Sequence, residues 1–229
     1  MSSAAADGGG PWLLALHSSS ACLGVAVQQL GGEEPPRLAA FPLGRGLSNA
    51  LITCVESVLP AAEWPRLGRL AVATGPGGFT GTRLTVALAR TLAQQLALPL
   101  DGVGSFALIA RRLRREGATP AASPFWVVQE LPRRGLVAGL YGPDPQQPAS
   151  LLELSAPRLY LEPAALVEAE VALVPASPAP APRCPADVQQ PQDVAELLSC
   201  SQVAAAAGRP APWSLVLPRY PTSPVDGAG

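Results

Sequence analysis

The residues best placed to do chemistry are Gly75-Pro76-Gly77-Gly78-Phe79-Thr80-Gly81, which join a short apolar run at 70–74 to a long helical pattern beginning near Thr82. Glycines admit positive φ, and Thr80 or Thr82 can accept hydrogen bonds from the free amides of a helix start. Two readings follow: a tight structural turn, which is favoured, or a cradle for an anion at the helix N-terminus. The loop is not a P-loop, because the chain contains no lysine, and its glycine spacing departs from the dinucleotide fingerprint.

A second cluster is His17-Ser18-Ser19-Ser20. Adjacency in sequence does not make a hydrolytic triad, and a lone histidine near a strand end is more often packed or solvent-facing than catalytic. His17 is the single histidine, and Cys22, Cys54, Cys184 and Cys200 form no C-x-x-C pair, so no metal site is indicated and the thiols read as reduced. Arg111, Arg112, Arg114 and Arg115 could meet phosphates, as could Arg133 and Arg134. A solvated helix end and a hairpin turn are the favoured readings of these two groups.

All sixteen basic residues are arginine, against 17 acidic ones, which leaves a formal net charge of −1 and no overall field to gather a nucleic acid. The absence of lysine also excludes Schiff-base chemistry. With 48% hydrophobic residues the 229-residue chain can bury a sizeable core. No apolar run reaches the roughly 18 to 20 residues of a membrane span, and residues 1–11 lack the pattern of a signal peptide, so the expected location is the cytoplasm.

The elements that must position these groups follow from periodicity. Strands are expected over 12–16, 22–27 and 37–43, a helix over 48–59, a strand over 70–74, a helix over 82–98 and another over 105–115. The helix at 82–98 is apolar on two sides: Leu84, Leu88, Leu92 and Leu96 form one stripe and Val86, Ala89, Ala93 and Ala97 another. It therefore needs two covers, the second being either a later helix of this chain or a partner. A less complete set follows, with strands at 125–129 and 136–141, a helix at 163–170 and a strand at 171–174. Residues 175–191 read as a Pro/Ala-rich loop, 193–199 and 201–207 as two short helices, and 213–217 as a closing strand.

The string from Thr74 through Gly75, Pro76, Gly77, Gly78, Phe79, Thr80, Gly81, Thr82 and Arg83 to Leu84, continued to Ser105, resembles the signature of the TsaB (YeaZ) family. Leu14 to Ser19 with Gly24 to Val27 resembles that family's first hairpin, and Leu217-Pro218-Arg219-Tyr220-Pro221 its closing motif. The resemblance is strong over about 12–115, thin over 125–141 and almost absent through the Pro-rich stretch. It implies an α/β, actin-like (ribonuclease H-like, ASKHA) fold of two βββαβα-type subdomains, the second degenerate. The expected division is a tail at 1–11, a first subdomain at 12–115, a second at 116–217 containing the Pro-rich loop at 175–191, and a tail at 218–229.

The same resemblance implies a non-catalytic subunit without cofactor. It would pair with a TsaD-type catalytic subunit for threonylcarbamoylation of the tRNA adenosine beside the anticodon, with a TsaE-type ATPase as third partner and tRNA touched only indirectly. The expected interface residues are Leu51, Val55, Val86, Ala89, Arg90, Ala93 and Ala97, beside the signature loop. Two positions depart from the family: His17 stands where Asp is usual, and Leu47-Ser48 where His-Ser or His-Thr is common. A neutral imidazole cannot replace a carboxylate toward magnesium, so no metal role is carried to the first hairpin. The alternatives are an actin-like small-molecule kinase, a peptidase-like enzyme, or a stand-alone homodimer.

Overall fold

The structure, a computed structural model, describes residues 10–144, 150–175 and 179–221. Most of the expected N-terminal and C-terminal tails, and part of the Pro-rich loop, lie outside the described residues.

Every residue of β1 (Trp12–His17) is buried, because this strand is central and covered on both faces. It pairs antiparallel with β2 (Cys22–Gln29), which pairs antiparallel with β3 (Arg37–Pro42). After α1 (Leu47–Val58) the chain returns as β4 (Leu67–Ala73), parallel to β1, and after α2 (Phe79–Gln95) as β5 (Leu100–Val103), parallel to β4. The resulting sheet has the order β3-β2-β1-β4-β5 and is followed by α3 (Ser105–Arg115).

The second half repeats the plan. Strands β6 (Phe125–Leu131), β7 (Gly135–Pro143) and β8 (Leu151–Tyr160) form a meander, then come α4 (Pro163–Leu173), the three-residue β9 (Arg183–Pro185) and α5 (Gln192–Ala206). Sheet order is β8-β7-β6-β9, with β9 parallel to β6. The first half thus runs strand, strand, strand, helix, strand, helix, strand, helix, and the second repeats that order but stops one strand and one helix earlier, with the first strand of each inside its sheet; this is the doubled α/β architecture of the actin-like fold, its second copy incomplete.

Alternation within β1 distributes the core. Trp12, Leu14 and Leu16 meet Leu51 and Val55 of α1 and Val86, Ala89 and Ala93 of α2 on one face. Leu13 and Ala15 meet Leu108 of α3 and Val194, Leu197 and Leu198 of α5 on the other. The opposite side of α3, Phe106, Ile109 and Ala110, packs on Phe125, Val127, Val137 and Tyr141 of the second sheet. Helix α4 covers that sheet's far face through Leu166, against Trp126 and Tyr160.

Several local expectations are corrected. Strand β8 departs from the expected pattern: it lies at a sheet edge, contains Pro157, is half exposed and shifts register twice against β7, so alternation is weak. Residues 171–173 continue α4 rather than forming a strand, and 193–207 make one helix instead of two. Residues Trp213–Leu215 form a 3-10 turn. The loop near 183 supplies β9, and Arg219 and Tyr220 are packed on the first half instead of trailing away.

Candidate functional site

Strand β4 is followed by a buried threonine, Thr74, whose amide donates to the Val103 carbonyl at 2.8 Å and whose own carbonyl accepts from the Arg219 amide at 2.7 Å. The next residues wrap around the turn after β1. Gly78 donates its amide to the Ser19 carbonyl at 2.7 Å, and the Gly75 carbonyl accepts from the Ser105 amide at 2.7 Å. A β-carbon on Gly77 would lie 2.3 Å from the Ser19 carbonyl oxygen, and one on Gly81 2.5 Å from that of Ser18. On Gly75, at φ +93°, a β-carbon would lie 2.9 Å from the Arg219 carbonyl oxygen. Close backbone approach therefore explains these glycines, and the carbonyls crowding the loop belong to this chain.

Hydroxyls complete the joint. Ser19 Oγ and Ser105 Oγ are 2.6 Å apart, Ser18 Oγ and Thr85 Oγ1 2.8 Å, and Thr82 Oγ1 donates to Ser19 Oγ at 3.4 Å. No side chain caps the start of α2, so Thr80 and Thr82 do not play the capping part expected for them. The arrangement has the character of the tight structural turn. Its exposed edge is an aromatic cluster: Phe79 lies 4.8 Å from the Tyr220 ring, and the Arg83 guanidinium stands 4.9 Å over Phe79.

His17 is wholly buried and burial drives its imidazole down to about pKa 3, so it is neutral and is not the solvent-facing histidine that the sequence allows. Neither neighbouring serine points its hydroxyl at it; the contact is the Ser19 amide on Nδ1 at 3.5 Å. Among the described residues, no three of His, Cys, Asp and Glu converge as metal ligands would.

The arginine cluster of α3 is engaged inside the chain. Arg112 is buried and bonds Asp193 at 2.7 Å and the Asp187 carbonyl at 2.7 Å, while Arg111 and Arg115 lie 3.6 Å and 2.9 Å from Glu196. Arg114 donates to the carbonyls of Pro120 and Ala121. The expected solvated helix end is thus corrected: this face carries the second helix of the repeat, α5. Periodicity could not show it, because the contact spans about eighty residues of sequence. Arg133 and Arg134 are exposed in the β6–β7 turn.

The expected interface set needs a correction too. Leu51, Val55, Val86, Ala89 and Ala93 are buried against the chain's own first sheet, so none is a surface for a partner in this fold. Arg90 donates to the Val216 carbonyl at 2.8 Å and lies over Trp213, holding the C-terminal segment to α2. Ala97 is exposed, at φ 51° just beyond the helix. The outward stripes are different residues: Ser48, Asn49, Ile52, Thr53 and Glu56 on α1, and Arg83, Ala87 and Thr91 on α2, with Leu84 and Leu88 half-buried between. Ile52 is 44% exposed and Phe79 42%.

Residues 36–128 match the family model "TsaD: tRNA N6-adenosine threonylcarbamoyltransferase". Over 102 residues the chain is 33% identical to the tRNA threonylcarbamoyladenosine biosynthesis protein TsaB of Bacillus subtilis (strain 168), a stretch that spans 43% of this chain and 43% of that relative. Two solved structures share the fold. One is a protein with similarity to peptidase YEAZ from Pseudomonas aeruginosa, 22% identical, TM-score 0.68, covering 93% of this chain and 100% of the other. The second is YeaZ from Pseudomonas aeruginosa, 21% identical, TM-score 0.67, covering 92% and 99%.

Proposed function

We infer that this chain, a member of the TsaB/YeaZ family, is a non-catalytic subunit in tRNA threonylcarbamoyladenosine biosynthesis that pairs with a TsaD-type catalytic subunit through the outer faces of α1 and α2. The observation that carries the reading is a coincidence of place. The stretch similar to the threonylcarbamoyltransferase family, residues 36–128, contains both helices whose outward stripes this fold leaves uncovered. Two chains sharing one strand-helix plan can join through equivalent helices about a pseudo-twofold axis, each presenting the same patch to the other. Ala87 and Thr91 are short enough for close approach of helix axes, and Ile52, Leu84 and Leu88 supply apolar area.

The site chemistry supports a supporting role. The single histidine is sealed in the core, the hydroxyls of Ser18, Ser19 and Ser20 bond Thr85, Ser105 and the Cys22 carbonyl, and the glycine loop is crowded by this chain's own carbonyls. A kinase or peptidase reading needs an acidic metal site or an activated nucleophile, and the described residues bring neither together. A TsaE-type ATPase is the further proposed partner. Contact with tRNA is indirect, since the α3 arginines are held by carboxylates and carbonyls of the chain. No helix of the described residues is long and apolar enough to cross a membrane, and the proposed setting is the cytoplasm, where tRNA is modified.

The homodimer is the second reading, because it would use the same uncovered face. Size exclusion with light scattering, run on the protein alone and mixed with the catalytic subunit of the same organism, separates the two. A mixed complex, with threonylcarbamoyl transfer to tRNA requiring both proteins, is the expected result. A homodimer that persists in the mixture, with transfer unaffected by this chain, would overturn the inference.

A further inference from the structure

We propose that His17 and Gln190 together bind one buried water molecule between the first sheet and the start of α5. Leu13 and Ala15 of β1 face α3 and α5, and His17, two residues on, projects from the same face. Its partner on β2 is Gly24. Where Gly24 would carry a β-carbon sits the carboxamide of Gln190, with Oε1 2.1 Å and Cδ 2.5 Å from that position and Val194 Cβ at 2.9 Å. The missing side chain on β2 makes room for the amide head over Gly24, the residue paired with His17.

Both groups have their orientation set by a backbone amide. Val194 donates to Gln190 Oε1 at 3.2 Å, which leaves Nε2 as the free end of the amide. Ser19 donates to His17 Nδ1 at 3.5 Å, so the neutral ring carries its proton on Nε2. Both Nε2 atoms are buried, and neither has an acceptor within hydrogen-bonding distance among the described residues.

One acceptor with two lone pairs, set where Gln190 reaches over the Gly24–His17 pair, would satisfy both groups, each of which can only donate. An anion has no cation to meet it, since the ring is neutral and the Arg112 guanidinium is taken by Asp193. Water accepts from both nitrogens and needs no charge, which is the role buried waters play for otherwise unsatisfied polar groups. The inference stands apart from the pairing of subunits and survives or fails without it.

Because His17 is the single histidine, its 15N spectrum is free of overlap. The expected result at neutral pH is the Nε2–H tautomer with magnetisation transfer from that proton to a long-lived water. The Nδ1–H tautomer, or an Nε2–H with no water in contact, would overturn the proposal. A high-resolution crystal structure should show a solvent peak within hydrogen-bonding distance of both nitrogens and no anomalous signal after a bromide soak. A bromide peak there would assign an anion site and sink the water. In Gln190→Met, exchange of the Nε2 proton should quicken by about tenfold, the effect of losing one neutral hydrogen bond. An unchanged rate would count against sharing; if the variant does not fold, the wild-type spectrum and crystal still decide.

Discussion

Gly77 lies so close to the Ser19 carbonyl that a β-carbon on it would stand 2.3 Å from the oxygen, well inside any real contact. Its φ of +153° is also unfavourable for an L side chain. Gly77→Ala should therefore cost about 2–4 kcal/mol, combining backbone strain with a shift of the β1–β2 turn. Gly31→Ala is the control: at φ +67° with open space around it, it should cost only about 1 kcal/mol. Urea unfolding of the two variants checks the difference; equal losses would mean that the loop does not press on Ser19.

Small residues on the two sides of α2 should respond oppositely to arginine. Ala93 is fully buried against the first sheet, and Ala93→Arg forces an unpaired guanidinium into the core at a cost of several kcal/mol, so no folded protein is expected. Ala87 is exposed, and Ala87→Arg should leave the melting temperature within about 2 °C, as surface substitutions usually do. If α2 carries the partner, the second variant should instead weaken association with the catalytic subunit by tenfold or more, about 1.4 kcal/mol. Calorimetric titration of folded Ala87→Arg measures it.

The buried imidazole should make the fold acid-sensitive. His17 titrates near 6.5 in the unfolded chain and at about 3 in the folded one, so between these values the unfolded state holds a proton that the native state lacks. Stability should fall as pH drops through that window, with a slope approaching about 1.4 kcal/mol per unit from this residue. Stability curves of the wild type and His17→Gln between pH 7 and 4 provide the test. The variant should lose the part of the slope above pH 5, where few carboxylates titrate; parallel curves would place His17 in exchange with bulk solvent.

Arg112 and Asp193 join the last helices of the two repeats, with side chains 2% and 0% exposed and 2.7 Å between Nε and Oδ1. Burial pushes the Asp193 carboxyl above its usual range, opposed by the Gln189 amide and by Arg112 itself. Arg112→Met removes the compensation and should cost about 3–5 kcal/mol, whereas replacing both residues by apolar ones should recover a large part of it. Denaturation midpoints of the single and double variants test this; a double variant no better than the single would locate the loss in the Asp187 carbonyl bond.

Much of the first half was legible because its signals are local. Alternation marks β1 and β2, a one-sided apolar pattern marks α1, and a glycine-rich punctuation precedes α2; the resemblance of the signature string to a family then brings the doubled fold with it. The same periodicity shows that α2 is apolar on two sides. It cannot show which side meets the sheet, since both stripes satisfy a helix wheel equally well. That choice was made by shape: the small stripe of Val86, Ala89 and Ala93 is buried against the first sheet, while the larger Leu84 and Leu88 pack at the margin of the same core, half-buried.

Composition and local pattern by themselves determined that this is a lysine-free α/β chain without the equipment of a P-loop or a multi-histidine metal site, and that a glycine turn launches its longest helix. Only the tertiary structure decided what that turn holds, why His17 is silent, and where the α3 arginines go. The physical reason is separation along the chain. Ser19 meets Gly77, Arg112 meets Asp193 and Phe79 meets Tyr220 through closures of tens to more than a hundred residues, and such contacts leave no periodicity in the segments that make them.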